Sequence, residues 1–486
     1  MSSSKLNWAC DPCAFFNTDE QLLTINNQNL DLNYTNLSEF IERSENFPIV
    51  FPINSTRCQT LQKSVSEGVL LRNINSSYPI LHEYVLQLFI DFILHKRKFG
   101  SGIEREFYKN ITLLEFVDRL LQKRAVMFMN PSDDYFLLNK IRGKGNWETV
   151  GKDVEKGGLT LENCLSYDEI KLAAFLSVSS YSYFINNGNR HNKGVQVKNR
   201  ANLEEEGVII GLIGARLEKS NVMEYQEIII SKDQNVEANG YGTLFAPTIA
   251  SLFSGFYGKP NWTYTNFIAS GKAKNSAQYV KGFGNDYFDN ITYSKRITIS
   301  IDTLLFEANH RAKEIGTSGY VYVVGIGLGV WQYSNHQKKI FLDTFVNRIQ
   351  LLGKHLQNIS DVNFAYFSDS TSAGNYNSGT KIPLENHSNG GIRIFISERQ
   401  PHAALVGEDK GKLLVVSYAW DGNALPGNEF WVGMLAASGD PAAASSTQIA
   451  ELHNPHINRN VSAGNLRIAT KDGVCSFKEY LKKHKP

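Results

Sequence analysis

Five cysteines in 486 residues are too few and too irregular for a disulfide framework, and such sparse thiols suit a cytoplasmic protein. Cys10 and Cys13 form a CxxC, but no second CxxC or HxxxH completes a zinc site, and no βαβ pattern surrounds it for redox work. The pair therefore reads as ordinary thiols, and so do Cys58, Cys164 and Cys475. Excess charge is also missing. Fifty basic and 48 acidic residues leave a net charge of +2, which removes any general electrostatic case for nucleic-acid binding. No apolar run approaches the roughly 20 residues of a membrane span. The first residues, MSSSKLNWACDPC, lack the basic-then-apolar order of a secretory leader. GxSxG, HExxH and the phosphate-loop pattern GxxxxGK[ST] are all absent.

What is present suits a large globular chain. The 42% hydrophobic and 20% charged content supplies apolar mass for a large core, and the length allows two to four domains or one with an appendage. Residues 1–80 are rich in Asn, Ser and Thr, with a short helix expected at 37–43. Leu81, Tyr84, Val85, Leu88, Phe89 and Phe92 recur at helical spacing and predict a helix over 81–98, ending in the basic run 95–98. Thr112 and Glu115 form a capping box opening a second helix over 113–124. These features divide the chain into a mainly helical extension, 1–110, which could also bind a partner, and a body, 111–486.

The texture changes after the Gly-rich stretch 143–158. A capping box at Ser166 and Glu169 starts a helix expected to run through Leu176, and a dense polar loop follows at 186–194. Short apolar strands are then expected at 208–213, 226–230, 297–301, 320–324, 362–367, 392–396 and 413–417. Helices are expected at 243–256, 303–315 and 336–357. This alternation indicates an α/β fold with a sheet flanked by helices.

Ligands of open α/β sheets lie beyond the carboxyl ends of the strands. Two post-strand segments carry chemistry. One follows 320–324: Gly325, Gly327, Leu328, Gly329, Val330 and Trp331, then Ser334 and Asn335 as N-cap types before an amphipathic helix. Strand, glycine loop and helix N-terminus form a geometry that can cradle a phosphate with bare N–H groups, although a tight turn has the same pattern. The other follows 413–417. Within 420–431 stand Trp420, Asp421, Asn423, Asn428, Glu429 and Trp431, with Asp440 soon after. Carboxylates beside aromatics suit a site that binds a sugar or nucleobase and handles a leaving group. A rigid turn with core tryptophans has the same composition. His453 and His456 read as a surface loop.

Several segments together resemble a macrodomain, most closely the poly(ADP-ribose) glycohydrolase branch and the atypical Legionella effectors that remove ADP-ribose from arginine on ubiquitin. They are 166–169, 184–194, 207–225, Gln226-Glu227-Ile228, 325–331 and 419–431. The branch signature is Gln-Glu-Glu; here its third position is Ile228. The resemblance implies a macrodomain-like ADP-ribosylhydrolase that needs no cofactor and no metal. It further implies a monomer whose partner is an ADP-ribosylated protein (ubiquitin a candidate), delivered into a host cell. By position, Gly325 to Gly329 would take the diphosphate, and Asn189 and Arg190 would lie near the distal ribose or the phosphates. Arg216, Glu224, Val330, Trp331, Trp420, Asn423 and Asp440 would complete the ADP-ribose site. Asp421, Glu429 and Glu227 are the candidate catalysts. With Ile228 in place of an acid, a non-enzymatic ADP-ribose reader is the alternative; a third is an interaction protein acting through the helices of 81–124.

Overall fold

The computed structural model describes residues 8–9, 20–23, 32–243, 246–367 and 370–484; Cys10, Cys13, Ser368 and Asp369 lie outside them. Its centre is a ten-stranded mixed sheet. In chain order the strands are β1 (Tyr78–His82), β2 (Leu176–Tyr183), β3 (Glu206–Ile213), β4 (Gly319–Val324), β5 (Ile359–Ala365), β6 (Lys381–Pro383), β7 (Gly391–Ile396), β8 (Leu413–Trp420), β9 (Arg467–Thr470) and β10 (Gly473–Ser476). They lie in the order β6-β7-β5-β4-β8-β3-β2-β1-β9-β10. The five strands from β7 to β3 run parallel, while β2 turns antiparallel against β3.

The helices that matter here are α1 (Leu86–Phe99), α2 (Leu113–Gln122), α3 (Tyr167–Ala173), α4 (Tyr225–Ile228), α5 (Asn290–Glu314), α6 (His336–Leu352) and α7 (Gly439–Ala444). The capping boxes expected at Thr112 and Ser166 are both formed. Among the described residues no helix is long and apolar enough to cross a membrane.

Four expectations are corrected. Residues 297–301 are not a strand. They lie inside α5, a 25-residue helix buried on nearly all sides, so the alternation Ile297-Thr298-Ile299-Ser300-Ile301 carries no information about period. Residues 226–228 are helical, and only Ile229–Ile230 are extended. Residues 81–82 close β1, between β2 and β9, so the segment before residue 110 contributes an interior strand to the sheet. The helix at 167–173 stops short of Leu176, which opens β2, a serine-rich strand. His453 is also no surface residue. It is fully buried, with Nε2 2.9 Å from Ser180 Oγ and Nδ1 2.9 Å from the Tyr418 hydroxyl.

Candidate active site

Strands β4, β8 and β3 are adjacent and parallel, so the loops leaving their carboxyl ends emerge together. These loops are 214–224 after β3, 325–335 after β4 and 421–438 after β8. The first two pack backbone against backbone. A Cβ on Gly214 would lie 2.4 Å from Gly327 N, and one on Gly327, whose φ is 70°, would lie 2.8 Å from the Ala215 carbonyl oxygen. Glycine at both positions is therefore a condition of the contact. Leu217 N donates to the Trp331 carbonyl at 3.2 Å. Beyond this contact the loop opens. Leu328 folds back under Gly325, Gly329 faces open space, and Val330 is 81% exposed. Residues 325–331 thus offer backbone and apolar surface with no titratable side chain.

The third loop carries the acids. Asp421 follows β8 directly. Asn423 N donates to its Oδ1 at 2.9 Å and Asn428 Nδ2 to its Oδ2 at 3.4 Å. Asn428 is itself fixed: Phe128 N donates to its Oδ1 at 2.9 Å, and its Nδ2 donates to the Phe128 carbonyl at 3.0 Å. Phe128 belongs to a small three-stranded sheet, so that sheet holds the acid loop in place. Gly427 N donates to Asp440 Oδ1 at 2.8 Å, and Ser438 Oγ to Glu429 Oε2 at 3.3 Å. Among the described residues none of Asp421, Glu429 and Asp440 sits in an ion pair. Burial pushes Asp421 up to about 6; Arg216 pulls it back, and Glu429 and Glu218 push it further. Burial likewise raises Glu429, and raises Asp440 well above the usual carboxylate range. Buried carboxylates that interact, with raised proton affinity, are the usual equipment of acid–base catalysis.

Arg216 joins the walls. Its Nε donates to Glu218 Oε1 at 2.8 Å and its Nη2 to the Asn130 carbonyl at 3.2 Å, and its guanidinium lies 5.7 Å from the Trp331 ring centroid. Asn423 is fully buried, with neither amide atom partnered, and Asp440 Oδ2 is equally unpartnered. Both keep unused hydrogen-bonding capacity among the described residues. Trp420 is buried, with Nε1 donating to the Ala424 carbonyl at 3.1 Å. Trp431 packs in the core between Phe47 and Phe51.

The other candidate acids stand elsewhere. Glu224 is a strut: Arg296 donates to its Oε1 from Nε at 3.2 Å and Nη2 at 3.1 Å, while Arg216 N donates to its Oε2 at 3.3 Å. Arg296 Nη2 also donates to the Ile213 carbonyl at 3.0 Å, so this ion pair holds the turn after β3 from beneath. Glu227, on α4, lies 2.9 Å from Lys171 Nζ. Burial pushes it up and Lys171 pulls it back. Asn189 caps a short turn by accepting from His191 N at 2.9 Å, and Arg190 extends from it into solvent. That turn lies against α7, the helix that carries Asp440.

Three residues outside the sequence candidates matter here: Arg296, Glu218 and Arg124. Glu218 stands in a post-strand loop, where the strand-end rule could have found it. Arg296 is a basic residue on a buried helical face and Arg124 a buried one just past a helix end, and nothing near them in sequence marks a site.

A family model described as ADP-ribosylhydrolase MavL-like matches residues 38–483. Two Drosophila melanogaster proteins are similar over nearly the same span. ADP-ribosylarginine hydrolase CG2909 is 41% identical over 464 residues, covering 93% of this chain and 90% of that protein. ADP-ribosylarginine hydrolase CG3568 is 44% identical over 459 residues, covering 92% of this chain and 88% of that protein. With a match running from before β1 to beyond β10, the chain belongs to the MavL-like ADP-ribosylhydrolase family.

Proposed function

We propose that this protein hydrolyses the N-glycosidic bond between ADP-ribose and a protein arginine, in a macrodomain-like body. The arginine linkage is taken from the names of the two Drosophila relatives. The observation that carries the mechanism is the group of buried acids without ion pairs after β8, beside the glycine loop after β4. In this reading the N–H groups of 325–331 hold the diphosphate, where each charge-assisted bond contributes about 1.5–3 kcal/mol. Trp331 and Arg216 line the same side. Asn423 and Asp440 supply the polar atoms that meet the ribose hydroxyls or an ordered water.

Water adds to C1″ as the C1″–N bond breaks. The electron pair of that bond returns to the guanidine nitrogen, which takes up the proton the water loses, and arginine leaves as its guanidinium ion. Ionised Asp421 accepts the water proton and passes it on to the departing guanidine nitrogen, and with Glu429 it stabilises positive charge at C1″. Glu224 and Glu227, neutralised by Arg296 and Lys171, hold the loop after β3 and take no part in the proton transfer. Incubation with ADP-ribosylated arginine peptide tests the reading: free ADP-ribose and unmodified arginine are expected, and no release from an arginine linkage contradicts it. ADP-ribosylated ubiquitin beside a second ADP-ribosylated protein decides whether ubiquitin is a preferred target.

A further inference from the structure

Arg124, just past the end of α2, is a buried cation that the reaction above does not use. Its side chain is held on every side. Nε donates to the Leu120 carbonyl at 2.9 Å, and Nη2 to the Ala173 carbonyl at 3.0 Å and the Leu176 carbonyl at 3.4 Å. Its guanidinium lies 3.9 Å from the centroid of the Trp420 ring. Nη1 is buried and has no hydrogen-bond partner among the described residues. A buried cation with no carboxylate in contact is costly, and in a low-dielectric interior its charge is felt at longer range. The acids within that range are Asp421 and Asp440. The backbone adds a second link: Ala125 N donates to the Asn423 carbonyl at 3.0 Å, and Leu425 N to the Ala125 carbonyl at 2.8 Å. The residue after Arg124 is thus stitched to the acid loop on both sides of Ala424.

We propose that Arg124 is a positioning residue of the active site, acting through Asp421: its fixed positive charge behind Trp420 keeps the Asp421 carboxylate ionised at neutral pH beside two other acids. This rests on the assignment of Asp421 as the proton acceptor. The groups facing Asp421 are Arg216 and Glu218 from the loop after β3, Glu429 and Asp440 from its own loop and α7, and Arg124 with Tyr418 from behind. Three of these are acids, so the two arginines set the balance. Arg216 is the charge that pulls Asp421 down most, and it is also paired with Glu218; Arg124, with no carboxylate in contact, adds to it from behind Trp420. Without it the ionised form loses its support, and protonation moves to higher pH.

The test is an infrared pH titration of the full chain, with the Asp421 carboxyl band assigned by its loss in Asp421→Asn. Arg124→Met is expected to move the Asp421 midpoint up by at least about one pH unit, the usual size for loss of a nearby opposite charge. Arg124→Lys, which keeps the charge, is expected to leave it within a few tenths. The acidic limb of kcat/KM should move with the band. An Arg124→Met midpoint coinciding with wild type overturns the proposal, and so does a shift equally large in Arg124→Lys. If Arg124→Met does not fold, the comparison of Arg124→Lys with Arg124→Gln decides in the same way. A wild-type protein without turnover on arginine-linked substrate contradicts the proposed function instead, and the infrared midpoints still judge Arg124.

Discussion

Two groups of buried acids lie side by side in this molecule and differ in one respect. Glu224 and Glu227 each meet a buried cation, Arg296 at 3.1 Å and Lys171 at 2.9 Å. The second pair continues outward: Lys171 lies 3.7 Å from Asp168, which is 2.9 Å from Lys96, itself 2.5 Å from Glu104. Among the described residues Asp421, Glu429 and Asp440 have no such partner, and burial is the largest influence on their proton affinity. Paired buried charge locks geometry, while an unpaired buried acid holds its proton to higher pH. The signature-like segment 226–228 points to the first group, and the composition of 420–431 points to the second. In the proposed mechanism the second is the chemical one.

The sharpest way to break this contrast is to neutralise the unpaired acids. Asp421→Asn or Glu429→Gln should lower kcat by about 10²–10⁴-fold, the usual contribution of a positioned acid or base, with the fold retained. Steady-state release of ADP-ribose with a parallel melting curve checks it, and a loss under tenfold in both variants removes these acids from the chemistry. On the paired side, Arg296→Met strands Glu224 and should cost about 3–5 kcal/mol in urea unfolding. A cost below about 1 kcal/mol would make the pair no strut.

Dependence on pH separates the groups by sign. Asp421 binds its proton more tightly folded than unfolded, so its charge costs stability above about pH 6, and the cost fades as pH falls toward its ordinary range. Asp421→Asn should therefore be more stable than wild type at pH 8, by on the order of 1–3 kcal/mol, and equal near pH 4. Asp168 has the opposite sign. Burial opposes its ionisation, but Lys96 and Lys171 hold it down at about 2, so its contribution is present above its ordinary range and lost as pH falls through 2. Asp168→Asn should destabilise at pH 8, and chemical melts across pH give both slopes. The smallest effects concern the glycine wall. Gly327→Ala places a methyl against the Ala215 carbonyl and should weaken ADP-ribose binding by about tenfold while costing about 1–3 kcal/mol. Gly329→Ala meets nothing within 4 Å and should change both by little, which calorimetry would show.

The sequence made the two loops legible because each is local. An unbroken apolar strand followed by glycines, or by Asp, Asn, Gly and Trp, announces a strand end within a dozen residues. What joins them was not legible. The long helix α5 is buried nearly all round and carries Arg296 among isoleucines, so period and polarity both mislead there. Strand β2 reads Leu-Ser-Val-Ser-Ser-Tyr-Ser-Tyr, too polar to declare itself, because its serines bond to Glu307, His453 and Gln448 from distant segments. The ion pairs of Glu224 and Glu227 depend on partners 72 and 56 residues away, and sequence spacing says nothing about them.

The most direct test sets one acid of each group against the other. Asp421→Asn and Glu227→Gln are assayed at pH 7.5 on the same ADP-ribosylated arginine peptide, each with its melting temperature. The account predicts that Asp421→Asn stays folded and loses at least about 100-fold in kcat, while Glu227→Gln melts earlier but turns over within a few fold of wild type. Full activity in Asp421→Asn beside a folded, inactive Glu227→Gln would contradict it.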